Sequence, residues 1–172
     1  MEDINVPEGV PVGGASLWPA DNFTKVGEPD DPITGLVVLG SDLYIFKQDS
    51  IWQWDGVDLR QIVTGVGCVA PQSLITVGGA TMFLASEGVY VFDGVKVTKL
   101  SYAVDKTLND YTQRARLSEA VGAKNRRDSE YLLWLPGVPN TVCLVYNWSQ
   151  NSWTKRGMQF DAATKVQTVG GH

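Results

Sequence analysis

LVVLGSDLYIFKQDSIWQWDG, Leu36 to Gly56, is followed by LITVGGATMFLASEGVYVFDG, Leu74 to Gly94, and the two align without a gap. The second begins 38 residues after the first (74 − 36). Identical residues fall at Leu36/Leu74, Gly40/Gly78, Asp55/Asp93 and Gly56/Gly94, and character is kept at Ile45/Phe83, Ile51/Val89, Trp52/Tyr90 and Trp54/Phe92. Each copy holds two apolar runs with a turn between them. A repeat of roughly 40 residues built from hairpins is the pattern of β-propeller blades. One such unit cannot bury both of its faces, so it must stack on others.

Working outward, the first unit reads as four strands, Ile33 to Leu39, Leu43 to Lys47, Ser50 to Trp54 and Val57 to Val63, with Asp55-Gly56 as a tight hairpin turn. The second repeats this order from Leu74 to Val77, Thr81 to Ala85, Val89 to Phe92 and Val95 to Leu100. The texture then changes. Ala103 to Ala120 lacks Gly and Pro and places Val104, Leu108, Tyr111 and Ala115 at helical spacing, so one amphipathic helix is expected there, capped by Ser101 and closed by Gly122. A looser third unit follows, with strands at Glu119 to Lys124, Tyr131 to Leu135, Thr141 to Tyr146 and from Ser152. Ser16 to Trp18 reads as an edge strand within a Pro-rich lead-in, and Met158 to Phe160 and Lys165 to Val169 as fragments of a fourth unit.

The fold expected is therefore all-β. It is a β-propeller-like stack of four-stranded antiparallel blades, about four in number, closed as a ring or left as an open arc, with one inserted helix. The chain of 172 residues reads as one domain or propeller fragment, 1–172, with units at about 33–64, 72–100 and 119–157 and the helix at about 103–120.

Composition excludes several classes. A net charge of −5 disfavours a nucleic-acid binder, which needs a basic footprint. The one basic cluster, Lys124, Arg126 and Arg127, reads as a solvated turn. No run is long and apolar enough for a membrane span, and the acidic MEDINVPEGV start does not match a secretory signal. Cys68 and Cys143 sit in apolar surroundings without a Cys-x-x-Cys partner, and buried free thiols are expected. The single histidine is His172, so neither a His-based nucleophile nor a Cys/His zinc site assembles readily. Asp30, Asp31, Asp42, Asp49, Asp55, Asp58, Glu87 and Asp93 fall mostly in predicted turns and read as turn formers rather than a catalytic pair. No catalytic residue, cofactor or metal ligand is assigned.

The tryptophans carry more information. Trp52 and Trp54 are expected to present their rings to opposite faces, one to the inter-blade core and one outward. Trp52, Trp54, Tyr90, Phe92, Trp134 and Tyr146 are the aromatic residues expected to pack between blades. Trp18, Trp52, Trp148 and Trp153 are the candidates for contact with a partner protein or a glycan.

The order GCVAPQS (Gly67 to Ser73), SLITVGGATMFLASEGVYVFDGVKV, the Leu100-Ser101 entry to the helix and VYNWSQNSWTKRG resembles β-propeller structural proteins of tailed bacteriophages, of the tail-hub or packaged-DNA-stabilising nozzle type. The likeness covers roughly residues 30 to 157. It implies a non-enzymatic role in assembly within the virion, put together in the host cytoplasm. The partners it implies are other copies of the chain or other phage tail proteins, without membrane insertion or sequence-specific nucleic-acid binding. A lectin-like propeller binding host-surface glycan is the alternative reading.

Overall fold

A computed structural model describes residues 23–111, 114–136 and 141–157. These residues build three four-stranded antiparallel sheets and one short α-helix. The first sheet is β1 (Ile33–Leu39), β2 (Asp42–Lys47), β3 (Ser50–Trp54) and β4 (Leu59–Thr64). The second is β5 (Ile75–Val77), β6 (Ala80–Ala85), β7 (Gly88–Phe92) and β8 (Val97–Lys99). The third is β9 (Val121–Asn125), β10 (Glu130–Leu135), β11 (Val142–Asn147) and β12 (Ser152–Arg156). In each sheet the spatial order follows the chain, so every strand pairs with its sequence neighbours. The fragments expected at Ser16 to Trp18, Met158 to Phe160 and Lys165 to Val169 lie outside the described residues.

The second sheet is sandwiched between the other two, which explains why five successive residues of β6, Thr81 to Ala85, are all buried. A strand covered on both faces carries side chains into two cores. Phe83, Ala85 and Phe92 enter the core shared with Tyr44, Phe46 and Ile51 of the first sheet. Met82, Leu84 and Val89 enter the core shared with Tyr131, Leu133, Leu144 and Tyr146 of the third. In the first of these cores the rings meet edge to face, Phe46 with Phe83 at 5.2 Å and Tyr44 with Phe92 at 5.0 Å between centroids. That geometry places positive ring edges on negative ring faces.

The links between sheets are hydrogen-bonded rather than loose. Cys68 N–H donates to Lys47 O at 2.8 Å and Val69 N–H to Leu84 O at 3.0 Å, fastening the crossover from the first sheet to the second. The buried Ser73 hydroxyl donates to Ala70 O at 2.7 Å and accepts the Leu84 N–H at 2.9 Å. The Tyr131 hydroxyl of the third sheet donates to Ser73 O at 3.0 Å. Polar groups buried at the junction are thereby satisfied, as burial requires.

The turn joining the third strand of each sheet to its fourth is the same device three times. Asp55 Oδ1 accepts the N–H groups of Val57 and Asp58 at 2.9 and 2.8 Å, and Asp93 Oδ1 those of Val95 and Lys96 at 3.0 and 2.9 Å. In the third sheet Asn147 Oδ1 accepts from Ser149 and Gln150 at 3.1 and 2.9 Å. These donors hold the Asp55 and Asp93 carboxyls below the usual carboxylate range. Only the glycine after each Asp has positive φ, +101° at Gly56 and +95° at Gly94, so these are Asx turns rather than type I′ turns.

That conformation carries a prediction. Gly56→Val is expected to cost about 1–3 kcal/mol, the strain of a non-glycine residue at such φ. Gly94→Val is expected to cost more, because its Cβ would also lie 3.3 Å from the Tyr44 hydroxyl, which donates to Gly94 O at 3.1 Å. Urea melts of the two variants give the comparison, and equal midpoints would remove the contact between this turn and the first sheet.

The expected single helix over 103–120 is corrected. Ser101–Val104 is a 3₁₀ turn, α1 spans only Asp105–Tyr111, and Arg114–Glu119 is again 3₁₀. Thr107, Asn109 and Asp110 are weak helix formers, and Val104, Leu108 and Leu117 are each drawn onto the core between the second and third sheets. Ser101 does not cap the helix as expected. Its hydroxyl accepts the Val89 N–H at 3.1 Å and donates to Asp105 Oδ1 at 2.6 Å. It ties the helix to β7 instead.

Candidate functional site

The first sheet packs one face on the second sheet, and among the described residues no sheet packs on the other. The register places Leu36 opposite Ile45, Val38 opposite Leu43, Ile45 opposite Trp52, and Leu43 opposite Trp54. All six side chains therefore share the face that points away from the core. This corrects the expectation that Trp52 and Trp54 face opposite ways, because residues two apart on a strand lie on the same side.

A strap of residues 23–32 crosses one end of this face. The Lys47 ammonium, 2% exposed, donates to Val26 O and Glu28 O, both at 2.7 Å, which replaces the water it gives up. Asp31 accepts the Asp49 N–H at 2.9 Å and the Ser50 hydroxyl at 2.6 Å, and Gln48 N–H donates to Pro32 O at 3.1 Å. The Trp52 ring lies against Gly27, where a Cβ would come within 2.7 Å of it, and its Nε1–H donates to Ser50 Oγ at 3.0 Å. On the same face Ile45 is buried, and three side chains stand in solvent. Leu36 is 62% exposed, Val38 64% and Trp54 43%. Scattered apolar residues on a surface are ordinary, but a contiguous apolar sheet face marks a contact surface.

The other tryptophans are placed differently. Trp18 lies outside the described residues. Trp148 and Trp153 are part-buried against the core between the second and third sheets. The Trp153 ring sits 5.0 Å from Tyr146, and its Nε1–H donates to Leu100 O at 2.9 Å. Of the aromatic residues expected between blades, Phe92 and Tyr146 are buried in the two cores, and Tyr90 is half-buried at the edge of the first. Trp134 is half-buried on the face of the third sheet opposite Tyr131 and Leu133. Trp54, assigned to that packed set, is instead the exposed ring. The signal for this lay in the repeat. Trp54 aligns with Phe92, which faces the preceding sheet, and among the described residues no sheet precedes the first.

A cleft of about 160 Å³ lies beside α1, between the turn at Ser86 and Glu87 and the side chains of Lys99, Asp105 and Asn109. Two of its charges are engaged with each other. Lys99 Nζ lies 2.7 Å from Asp105 Oδ2, and this bond raises the lysine above its ordinary value. Burial pushes the thiols of Cys68 and Cys143 up to about 11, so both stay protonated and poorly nucleophilic at neutral pH. Among the described residues no group of three His, Cys, Asp or Glu is placed to hold a metal ion, and no helix is long and apolar enough to cross a membrane.

No protein-family model and no curated protein matches the chain.

Proposed function

We propose that this chain is a non-enzymatic structural module of a tailed-phage virion, a β-propeller element that works through protein–protein assembly. The observation that carries the reading is the open apolar face of the first sheet, with Leu36, Val38 and Trp54 on one surface. Leaving such area in water is costly, at roughly 25 cal/mol per Å² of apolar surface. An assembly partner removes that cost. Three successive four-stranded meanders fit consecutive blades, and the sequence resemblance supplies the phage context.

One observation favours a second reading, in which the exposed Trp54 ring is a stacking platform for a host-surface sugar. A single experiment separates the two. Antibody against the chain, applied to tailed particles from its source, is expected to label one fixed station. Label confined to soluble material, together with saturable glycan binding that quenches Trp54 fluorescence, would replace assembly by glycan recognition.

A further inference from the structure

Aligned residues of the first and second sheets are used differently on the face that carries Trp54. In the second sheet Leu74, Phe83, Ala85, Tyr90 and Phe92 all pack in the core shared with the first. Their aligned residues in the first are Leu36, Ile45, Lys47, Trp52 and Trp54. One of these changes decides what can sit there. Where the second sheet sets the small Ala85 against a neighbouring sheet, the first has Lys47, whose ammonium holds the strap by Val26 O and Glu28 O. A whole sheet laid on this face would have to displace the strap and leave that ammonium buried without its acceptors, which is costly. The strap therefore stands where a sheet would at one end of the face, and Leu36, Val38 and Trp54 are left in solvent beside it.

These three side chains are flanked by negative charge. Glu28, Asp30 and Asp49 are exposed at the strap end, and Asp55 and Asp58 are exposed in the turn that follows Trp54. The cations of residues 23–64 are Lys25, Lys47 and Arg60. Lys47 is engaged inside the strap. Arg60 lies opposite Gln53 and donates to its Oε1, on the side that carries Tyr44 and Ile51. The surroundings of Leu36, Val38 and Trp54 are therefore acidic. Two such faces set against each other would bring like charges together, which disfavours the same face of a second copy as the occupant.

We propose that this face docks a single apolar segment of another protein, flanked by lysine or arginine side chains and laid beside the strap. Leu36 and Val38 on β1 and Trp54 on β3 lie two strand spacings apart, roughly 10 Å, a strip that one chain with its side chains spans. The apolar side chains of the segment remove Leu36, Val38 and Trp54 from water. Its cations meet the carboxylates at the two ends of the strip. Charge of this kind selects the partner and speeds its approach more than it adds affinity. This inference rests on the assembly reading of the same face and names the chemistry of the partner.

The test uses the full chain and two short synthetic peptides of equal length, one alternating leucine with lysine and the other leucine with glutamate. Binding is read from the fluorescence anisotropy of a dye on the peptide. The lysine peptide is expected to bind about 10-fold more tightly than the glutamate peptide or better. That advantage is expected to fall away near 1 M salt, where screening shortens to about 3 Å. Val38→Ser is expected to weaken the lysine peptide about 10-fold. Val95→Ser, at an exposed turn position of the second sheet, is expected to leave it unchanged. Asp55→Asn combined with Asp58→Asn is expected to weaken the lysine peptide several-fold, and Asp93→Asn, the same change in the second sheet, to have no effect. Asn147 serves this turn in the third sheet, so asparagine keeps the turn while removing its charge. Near-ultraviolet circular dichroism of each variant confirms that the fold is kept. Equal affinity for the two peptides, a loss no larger at Val38→Ser than at Val95→Ser, or self-association of the chain that Val38→Ser abolishes would each overturn the proposal. Fixed label on particles with no preference for the lysine peptide would remove this inference and leave the assembly reading standing.

Discussion

Phe46→Ala is expected to lower the stability of the chain by about 3–5 kcal/mol. Phe46 is fully buried and stands at the centre of the core between the first and second sheets. Its ring meets Phe83 at 5.2 Å and Phe92 at 5.9 Å, both edge to face. Truncation removes both contacts and the transfer free energy of the ring, and it leaves a cavity that the strand ladders on either side resist closing. Phe46 pairs with Gly35 and Ile51 in the middle of its own sheet, so relaxation there would break register. For a domain of this size each kcal/mol moves the melting temperature by about 2–4 °C, so a fall on the order of 10 °C is expected. Val57→Ala, at an 87% exposed turn position, serves as the control and should stay near wild type. A fall for Phe46→Ala no larger than this control would mean that the first sheet is not packed on the second.

Gly67→Ala is expected to be nearly as damaging, at about 3 kcal/mol, and for a different reason. Here space is lacking rather than removed. A Cβ on Gly67 would sit inside contact distance of Lys47 O and 2.7 Å from both C and O of Gln48. These are backbone atoms of the β2–β3 turn, and they are held from both sides. Lys47 O accepts the Cys68 N–H at 2.8 Å, and Gln48 N–H donates to Pro32 O at 3.1 Å in the strap. A methyl group therefore pushes the turn away from the crossover and strains the strap with it. Gly65→Ala separates this effect from backbone strain, because Gly65 has φ +78° with open space around its Cβ position. Thermal melts of the two should show the larger loss at Gly67. The reverse order would mean that the crossover does not lie against this turn.

Much of the architecture is legible in the residues because the information is local. Two largely apolar runs, Leu43 to Lys47 and Ser50 to Trp54, separated by Gln48-Asp49 and bounded by Gly40-Ser41 and Asp55-Gly56, specify strand, turn and strand within a few residues. The helix failed as a prediction because 3.6-residue spacing records which residues are apolar and not how well the backbone between them holds a helix. Val104, Leu108 and Leu117 reach the core from three short pieces as readily as from one long one.

The surface was harder to read. Nothing in SIWQW distinguishes the two rings, since both lie on one face of β3. The strap brings residues 23–32 back over Lys47 and Trp52 and stops short of Trp54, and that decides which ring is covered. Trp148 and Trp153, five residues apart on a turn and its following strand, are carried onto the second sheet by the stacking of the third.

By itself, then, the chain's pattern determined four-stranded antiparallel units, the Asp-Gly turns that join their last strands, and the need of each unit to stack. These follow from side-chain period and turn chemistry, which act between residues close in sequence. Which faces meet, which tryptophan is left in water and which buried glycine has no room for a methyl group were decided only by tertiary structure. Each depends on atoms brought together from distant parts of the chain, and burial is a property of that arrangement.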